Sequence, residues 1–227
     1  MFSKHHFSSS YDKKSVTIFY RPYFIHGLDE SDQDELSPNQ AIKHLTLEKG
    51  SNEIQFSVLK DTQGVSKCCC NIYLWQHRDK IVISDIDGTI TKSDVLGQVF
   101  PMIGRDWTQS GVAPLFSKVA NNGYRIVYLS ARAIGQANAT KEYLTSITQS
   151  EVKLPNGPIF LNPASLVKAL QQEVIENNPE PFKMSSLEEI ISLFPERTNP
   201  NPFYAGFGNC TNDVETYQAI GKALLQA

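Results

Sequence analysis

The chain has 227 residues, 41% hydrophobic and 20% charged, with a formal net charge of −3 and a pI near 6.0. These are the proportions of an ordinary globular protein large enough to bury one sizeable core, and they argue against a nucleic-acid binder that relies on bulk charge. No apolar run approaches the length that crosses a bilayer, so a helix-spanning protein is not expected, whereas one acting on a membrane surface fits.

The start, "MFSKHHFSSSYDKK", is basic and Ser-rich but lacks the apolar centre of a secretory signal. "SVTIFYRPYFI" has strand composition, and Pro22 confines it to an edge. "GLDESDQDELSPNQ" reads as an acidic, turn-rich linker, followed by a short helix capped by Ser37 with Pro38 in its first turn. Residues 1–35 are therefore expected to be a weakly structured segment and linker. "NEIQFSVLK" and "CCCNIYLWQH" are two strands separated by the turn signal "DTQG". They are too little to bury two sheet faces alone, and residues 36–79 are expected to form part of a small β domain. Three of the four cysteines are adjacent in "KCCCNIYLW", with no CxxC spacing, and read as buried thiols of a strand rather than metal ligands or disulfides.

From Lys80 the texture changes, and 80–227 is expected to be one catalytic α/β domain. "KIVISDI" is a short continuous apolar strand of the parallel-sheet kind. Then come a helix stopped by Gly123, a second strand ending at Ser130, a helix in "GQANATKEYLTSIT" and a third strand in "GPIFLNP". "SLVKALQQEVIE" is a further helix, and "KMSSLEEIISLF" places Met184, Leu187, Ile190, Ile191 and Phe194 on one helical face. "PFYAGFG" is a fourth strand and "DVETYQAIGKALL" a closing helix, with no strand after it. The alternation predicts a doubly wound parallel sheet with its site at the strands' carboxyl ends.

Chemistry-bearing residues fall at those ends. The first strand ends in Asp85, Asp87, Gly88 and Thr89; the second carries Ser130 and Arg132. Lys183 precedes the next helix, and Asn209 follows the fourth strand, with Asp213 four positions on. Two adjacent carboxylates at a buried strand end repel each other and resist desolvation. A cation between them, or a reaction using one as nucleophile and the other as acid, offsets this. Together they are the parts of a magnesium-dependent phosphoryl-transfer site. Asp85 attacks phosphorus, and Asp87 protonates the leaving oxygen and later activates water. Lys183 supplies a point charge to Asp85 and the phosphoryl oxygens, Ser130 a hydrogen bond, and Gly88 close approach of a backbone amide. Arg132 reads as a phosphate contact, with a helix-start ion pair as the alternative. A bare DxD also suits a glycosyltransferase metal site or a capped turn. DxDGT after an apolar strand, followed in order by Ser, Lys and GNxxxD, resembles the four motifs of the haloacid dehalogenase superfamily.

A narrower resemblance runs through "NIYLWQHRDKIVISDIDGTITKSDVLGQVFP", "RDWTQSGVAPLF", "YLSARAIGQA", "LPNGPIFLNPASL", "EVIENNPEPFKMSSL" and "FYAGFGN". These stretches are similar to the lipin family of Mg²⁺-dependent phosphatidate phosphatases. The resemblance implies conversion of phosphatidic acid to diacylglycerol by a cytoplasmic enzyme peripheral to the endoplasmic reticulum membrane, with the nucleus as a second location. It implies Asp85 as nucleophile, Asp87 as acid/base and Asn209 as a Mg²⁺ ligand alongside them; the strand-end residues themselves put Asp213 behind that site and Gly88, Thr89, Ser130, Arg132 and Lys183 around the phosphate. It further implies that the small β segment completes an immunoglobulin-like sandwich with an N-terminal family segment. The family places Arg after the Gly-Asn of its last motif; this chain has Cys210. "LGQVF" matches the family's LxxIL coactivator motif poorly, so no transcriptional role is carried over.

About forty residues separate the first two strands, too few for a cap domain of ordinary size. An uncapped site suits a substrate presented on a surface. Phe100, Met102, Ile103 and Trp107 read as cover for the sheet edge, with insertion into lipid beside Arg105 as the alternative. The histidines fall outside the strand ends and read as surface residues. A soluble-metabolite phosphomonoesterase and a non-catalytic binding module are the alternative functions.

Overall fold

The computed structural model describes residues 16–19, 46–60, 64–92, 107–163, 181–194, 201–221 and 224–226. The chain divides into two compact units, Met1–His77 and Arg78–Ala227.

In the first unit β2 (Gly50–Lys60) and β3 (Gly64–Gln76) form a long antiparallel pair, from Gly50 opposite Leu74 to Lys60 opposite Gly64. β1 (Val16–Phe19) pairs antiparallel with the other side of β3, giving the order β1-β3-β2 and leaving β1 at an edge, ahead of Pro22. Ile72 and Trp75 are buried, whereas Cys69 is exposed and Cys70 only half-buried. This corrects the reading of the cysteine run as buried: successive strand residues point to opposite faces, so neighbours cannot all enter one core.

In the second unit β4 (Ile81–Asp85) is buried along its whole length. α1 (Val112–Asn121) leads to β5 (Arg125–Ala133), and α2 (Ala137–Ser146) to a small hairpin, β6 (Thr148–Gln149) and β7 (Val152–Lys153). β8 (Ile159–Asn162), α3 (Pro181–Ser192), β9 (Phe203–Gly208), α4 (Thr211–Ala219) and β10 (Leu224–Gln226) follow. The sheet order is β10-β9-β4-β5-β8 and every pairing is parallel. The chain winds from β4 through β5 to β8, then returns to the other side of β4. The direction of winding therefore reverses beside β4, where a doubly wound sheet opens a crevice at its carboxyl edge.

Both faces of the sheet are covered. Val82, Ile126 and Phe207 join Val112, Ala113 and Phe116 of α1 in one cluster, with the Phe116 and Phe207 rings edge-on at 5.0 Å. Ile81 and Ile83 alternate with Val82 toward the opposite face and are fully buried. Leu187 and Ile190 of α3 and Phe194 just beyond it are buried, and Met184 and Ile191 half-buried at the margin of that stripe.

Three expectations change. β5 runs on to Ala133, with a register shift against β8 between Ser130 and Ala133. The closing helix stops at Ala219, where Gly221 takes a φ of +78°, and Leu224–Gln226 adds the edge strand β10 that the sequence reading lacked. The hairpin β6–β7 also went unread. The short helix after Ser37, the helix over 165–176 and the Phe100–Ile103 stretch lie outside the described residues.

Candidate active site

Asp85 closes β4, and an apolar strand buried from both sides delivers its carboxylate to the crevice with 3% exposure. Lys183, in the first turn of α3, places Nζ 2.9 Å from Asp85 Oδ1 and 2.9 Å from Asp213 Oδ1. All three side chains are buried. Two carboxylates thus share one ammonium out of water. Burial pushes Asp85 up to about 8; Lys183 pulls the other way, and the neighbouring charge of Asp213 adds to the rise.

Asp213 reaches this cluster because β9 is glycine-rich. A Cβ on Gly208 would stand 2.5 Å from that of Asp213, and one on Gly206 2.6 Å from the Tyr217 ring, so both glycines let α4 lie against the strand. Tyr217 donates its hydroxyl to the Phe207 carbonyl at 3.1 Å and fixes the helix there. The second oxygen of Asp213 accepts the backbone N–H groups of Asn209 and Cys210 and the Cys210 thiol at 3.2 Å. Burial, and then the Asp213 charge, push that thiol up to about 11.

Asp87 belongs to a second cluster. Ser130 donates its hydroxyl to Asp87 Oδ2 at 2.8 Å. Arg132 places Nη2 2.6 Å from Oδ1, and Nε 3.1 Å from each oxygen. Arg132 lies at the register irregularity of β5 between Ser130 and Ala133. Between the clusters Gly88 adopts a φ of +83°, a left-handed value that glycine takes without strain, and gives its N–H to Thr91 Oγ1 at 3.0 Å. Ile90 and Thr91 return N–H bonds to the Ile86 carbonyl, closing a tight turn. Thr89 donates to Asn209 Oδ1 at 3.3 Å, joining the β4 and β9 ends.

Each residue read from the sequence as a site residue therefore lies at this strand edge, with a division of partners that the sequence did not reveal. Asp85, Lys183 and Asp213 form one ion cluster; Asp87, Ser130 and Arg132 form the other. Arg132 was read as a phosphate contact or a helix-start pair, and in the structure it holds Asp87. Thr91 went unread although it repeats the Thr of "DGTIT", and Tyr217 gave only the signal of an aromatic opposite "GFG".

A hard divalent cation prefers oxygen donors. Asp85, with one oxygen taken by Lys183, and the Asn209 carboxamide suit that demand. The Asp87 side chain, engaged on both oxygens, does not in this arrangement. Among the described residues no group of three or more His, Cys, Asp or Glu side chains is poised to hold a metal, so a cation here would rely on Asp85 and Asn209 with further oxygens from substrate or water.

Residues 34–223 match the family model LNS2 (Lipin/Ned1/Smp2). The chain is 50% identical over 186 residues to phosphatidate phosphatase LPIN3 of Homo sapiens, covering 82% of this chain and 22% of that protein. It is 50% identical over 183 residues to phosphatidate phosphatase PAH1 of Arabidopsis thaliana, covering 81% and 20%. It is 47% identical over 191 residues to phosphatidic acid phosphohydrolase 1 of Saccharomyces cerevisiae, covering 81% and 22%. The chain thus spans about a fifth of the length of these curated relatives. Among solved structures, a cobalt-bound deoxy-D-mannose-octulosonate 8-phosphate phosphatase from Haemophilus influenzae aligns at 14% identity and a TM-score of 0.37, covering 66% of this chain and 69% of that one.

Proposed function

Because the chain belongs to the LNS2 (Lipin/Ned1/Smp2) family, we propose that it is a Mg²⁺-dependent phosphatidate phosphatase working through an aspartyl-phosphate on Asp85. The observation that carries this reading is Lys183 Nζ at 2.9 Å from both Asp85 and Asp213, with Asp87 two residues beyond Asp85. A structural role alone gives no reason to gather three carboxylates and two cations at one strand edge.

In this mechanism Asp85 attacks phosphorus as the bond to the glycerol oxygen breaks. Asp87, as general acid, delivers a proton to that oxygen, releasing diacylglycerol. Asp87 then takes a proton from water, which attacks the phosphoryl group, frees inorganic phosphate and restores Asp85. Lys183 keeps Asp85 oriented and meets the phosphoryl oxygens; the Ser130 hydroxyl and the Gly88 N–H, given to Asp87 and Thr91 in this structure, join it by exchanging those partners for phosphate. Asp85 and Asn209 would hold a Mg²⁺ ion, which would supply charge neutralisation for a carboxylate nucleophile facing an anionic ester. Arg132 exchanges one oxygen of Asp87 for one of phosphate when substrate enters, which frees Asp87 for proton transfer.

The same reading assigns catalysis to residues 80–227 and gives 36–79 to an immunoglobulin-like sandwich completed by an N-terminal family segment. It locates the protein in the cytoplasm, peripheral to the endoplasmic reticulum membrane, with access to the nucleus and no nucleic-acid partner. Phosphate release from phosphatidate in mixed micelles, compared with soluble phosphomonoesters in Mg²⁺ and in EDTA, tests it. Faster turnover of phosphatidate that EDTA abolishes supports the reading. Faster turnover of a soluble ester assigns the protein to small metabolites, and no turnover of either leaves a binding module.

A further inference from the structure

The turn that carries Asp87 and Thr89 is braced by a strap, which is held by one side chain from the hairpin and, at Thr108, by the Tyr143 hydroxyl of α2 at 3.0 Å. Residues 107–113 cross beside the turn: Lys92 N–H bonds the Trp107 carbonyl at 2.7 Å, and Gln109 N–H bonds the Ile90 carbonyl at 2.8 Å. Thr91 and Thr108 form an antiparallel bridge, and Gln109 Nε2 stands 3.5 Å from the Gly88 carbonyl.

Gln149 ends β6 and spans the strap with both halves of its carboxamide. Its Oε1 accepts the Ala113 N–H at 3.1 Å, and its Nε2 donates to the Gln109 carbonyl at 2.8 Å. α1 has Gly111 at its N-cap and no side-chain cap of its own, so the first contact gives an orphan helix N–H an acceptor from outside. The second holds the carbonyl of Gln109, the residue whose own N–H reaches Ile90. A two-residue hairpin turn presents Gln149, and both turn residues are left-handed without being glycine: Ser150 at φ +49° and Glu151 at +64°. Such turns favour Asn-Gly, so the hairpin accepts backbone strain while aiming Gln149 at the strap.

We propose that Gln149 is a positioning residue which, through Gln109, holds the 87–91 turn in register and so keeps Asp87 aimed at the leaving oxygen. The consequence for proton transfer rests on the phosphatase reading; the bracing of the turn does not. The two halves of the carboxamide separate capping from positioning. Gln149→Glu keeps an acceptor for Ala113 but removes the donor to Gln109.

The test combines amide hydrogen exchange over residues 87–92 of the full chain with single-turnover kinetics on two esters. Phosphatidate has an alkoxide leaving group that needs an acid; p-nitrophenyl phosphate has a leaving group that does not. In Gln149→Glu, exchange at 88–91 should rise about tenfold or more with little change in melting temperature. The phosphatidate rate should fall at least about tenfold, while the p-nitrophenolate burst stays within about threefold. Ser150→Asn with Glu151→Gly, which relieves the turn and leaves Gln149 in place, should slow exchange at the same amides. Unchanged exchange in both variants overturns the proposal whatever the activities. Equal rate losses on the two esters overturn the link to Asp87. If the wild-type chain cleaves neither ester, the phosphatase reading fails, and the exchange arm alone decides the bracing.

Discussion

Arg132 grips Asp87 with two nitrogens, Nη2 at 2.6 Å from Oδ1 and Nε at 3.1 Å from both oxygens. The guanidinium is a planar fork that fits a carboxylate two-pronged, and an ammonium cannot reproduce it. Arg132→Lys should therefore retain the charge and lose the orientation. The expected outcome is a fall in kcat of about tenfold to a hundredfold with a melting temperature close to wild type. Steady-state kinetics with a thermal melt checks it; wild-type kcat in the lysine variant would show that charge alone suffices.

Asp85→Asn should abolish turnover and stabilise the fold. Losing the nucleophile removes at least about 10³ in rate. Relief of a buried carboxylate should raise the melting temperature by about 3 °C or more at pH 8 in EDTA. Burial holds Asp85 up to about 8, against 3.8 for a free aspartate. Between these values the folded chain keeps a proton that the unfolded chain releases, so metal-free stability falls as pH rises from about 4 to 8 and levels off above. The variant should lack that contribution. Melting curves in EDTA across this range read it directly, and identical pH slopes for the two proteins would refute it.

Lys183→Met leaves Asp85 and Asp213 facing each other without a cation. Breaking a buried ion cluster on one side destabilises by about 3–5 kcal/mol when both acids stay charged, and by less when one takes up a proton. The raised Asp85 points to the second course. The variant should melt only modestly lower at pH 6, with a deficit that grows toward pH 9, while single-turnover phosphoryl transfer falls at least about a hundredfold. A variant unfolded at pH 6 would give Lys183 a structural role first.

Cys210 stands at the N-cap of α4, exposed, with its thiol against Asp213 at 3.2 Å. The backbone N–H groups that hold Asp213 do not depend on this side chain, so Cys210→Arg should keep the acid in place. An arginine there adds a charge-assisted donor beside Asn209 and should raise kcat/KM by about fivefold to a hundredfold. The thiol itself, pushed up to about 11, should alkylate more slowly with iodoacetamide than a free cysteine at pH 8. A stably folded arginine variant with unchanged kcat/KM contradicts the first expectation, and rapid alkylation the second.

The apolar run Ile81–Ile83 and the helices between strands made the parallel sheet legible, because burial on both faces imposes continuous hydrophobicity. The order of Asp85, Ser130, Lys183 and Asn209 along the chain likewise pointed to one strand edge. What stayed hidden depended on backbone geometry. The extension of β5 past Ser130, which aims Arg132 at Asp87, leaves no periodic signal in three residues. β10 is short and follows Gly221, so its two leucines read as more helix. Gln149 gave nothing at all, since a lone polar residue in a short hairpin carries no pattern, and its role rests on contacts 36 and 40 positions away in the chain.

Covalent transfer of phosphate to Asp85 is the centre of the account, and trapping it is the most direct test. Phosphatidate labelled in its phosphate, mixed with the chain in Mg²⁺ and quenched in acid within milliseconds, should leave protein-bound label that is stable to acid and released by hydroxylamine. Peptide mapping should find it on Asp85, and EDTA or Asp85→Asn should remove it. Phosphate release from phosphatidate that proceeds undiminished in Asp85→Asn, with no label on the chain at any time, would contradict the mechanism.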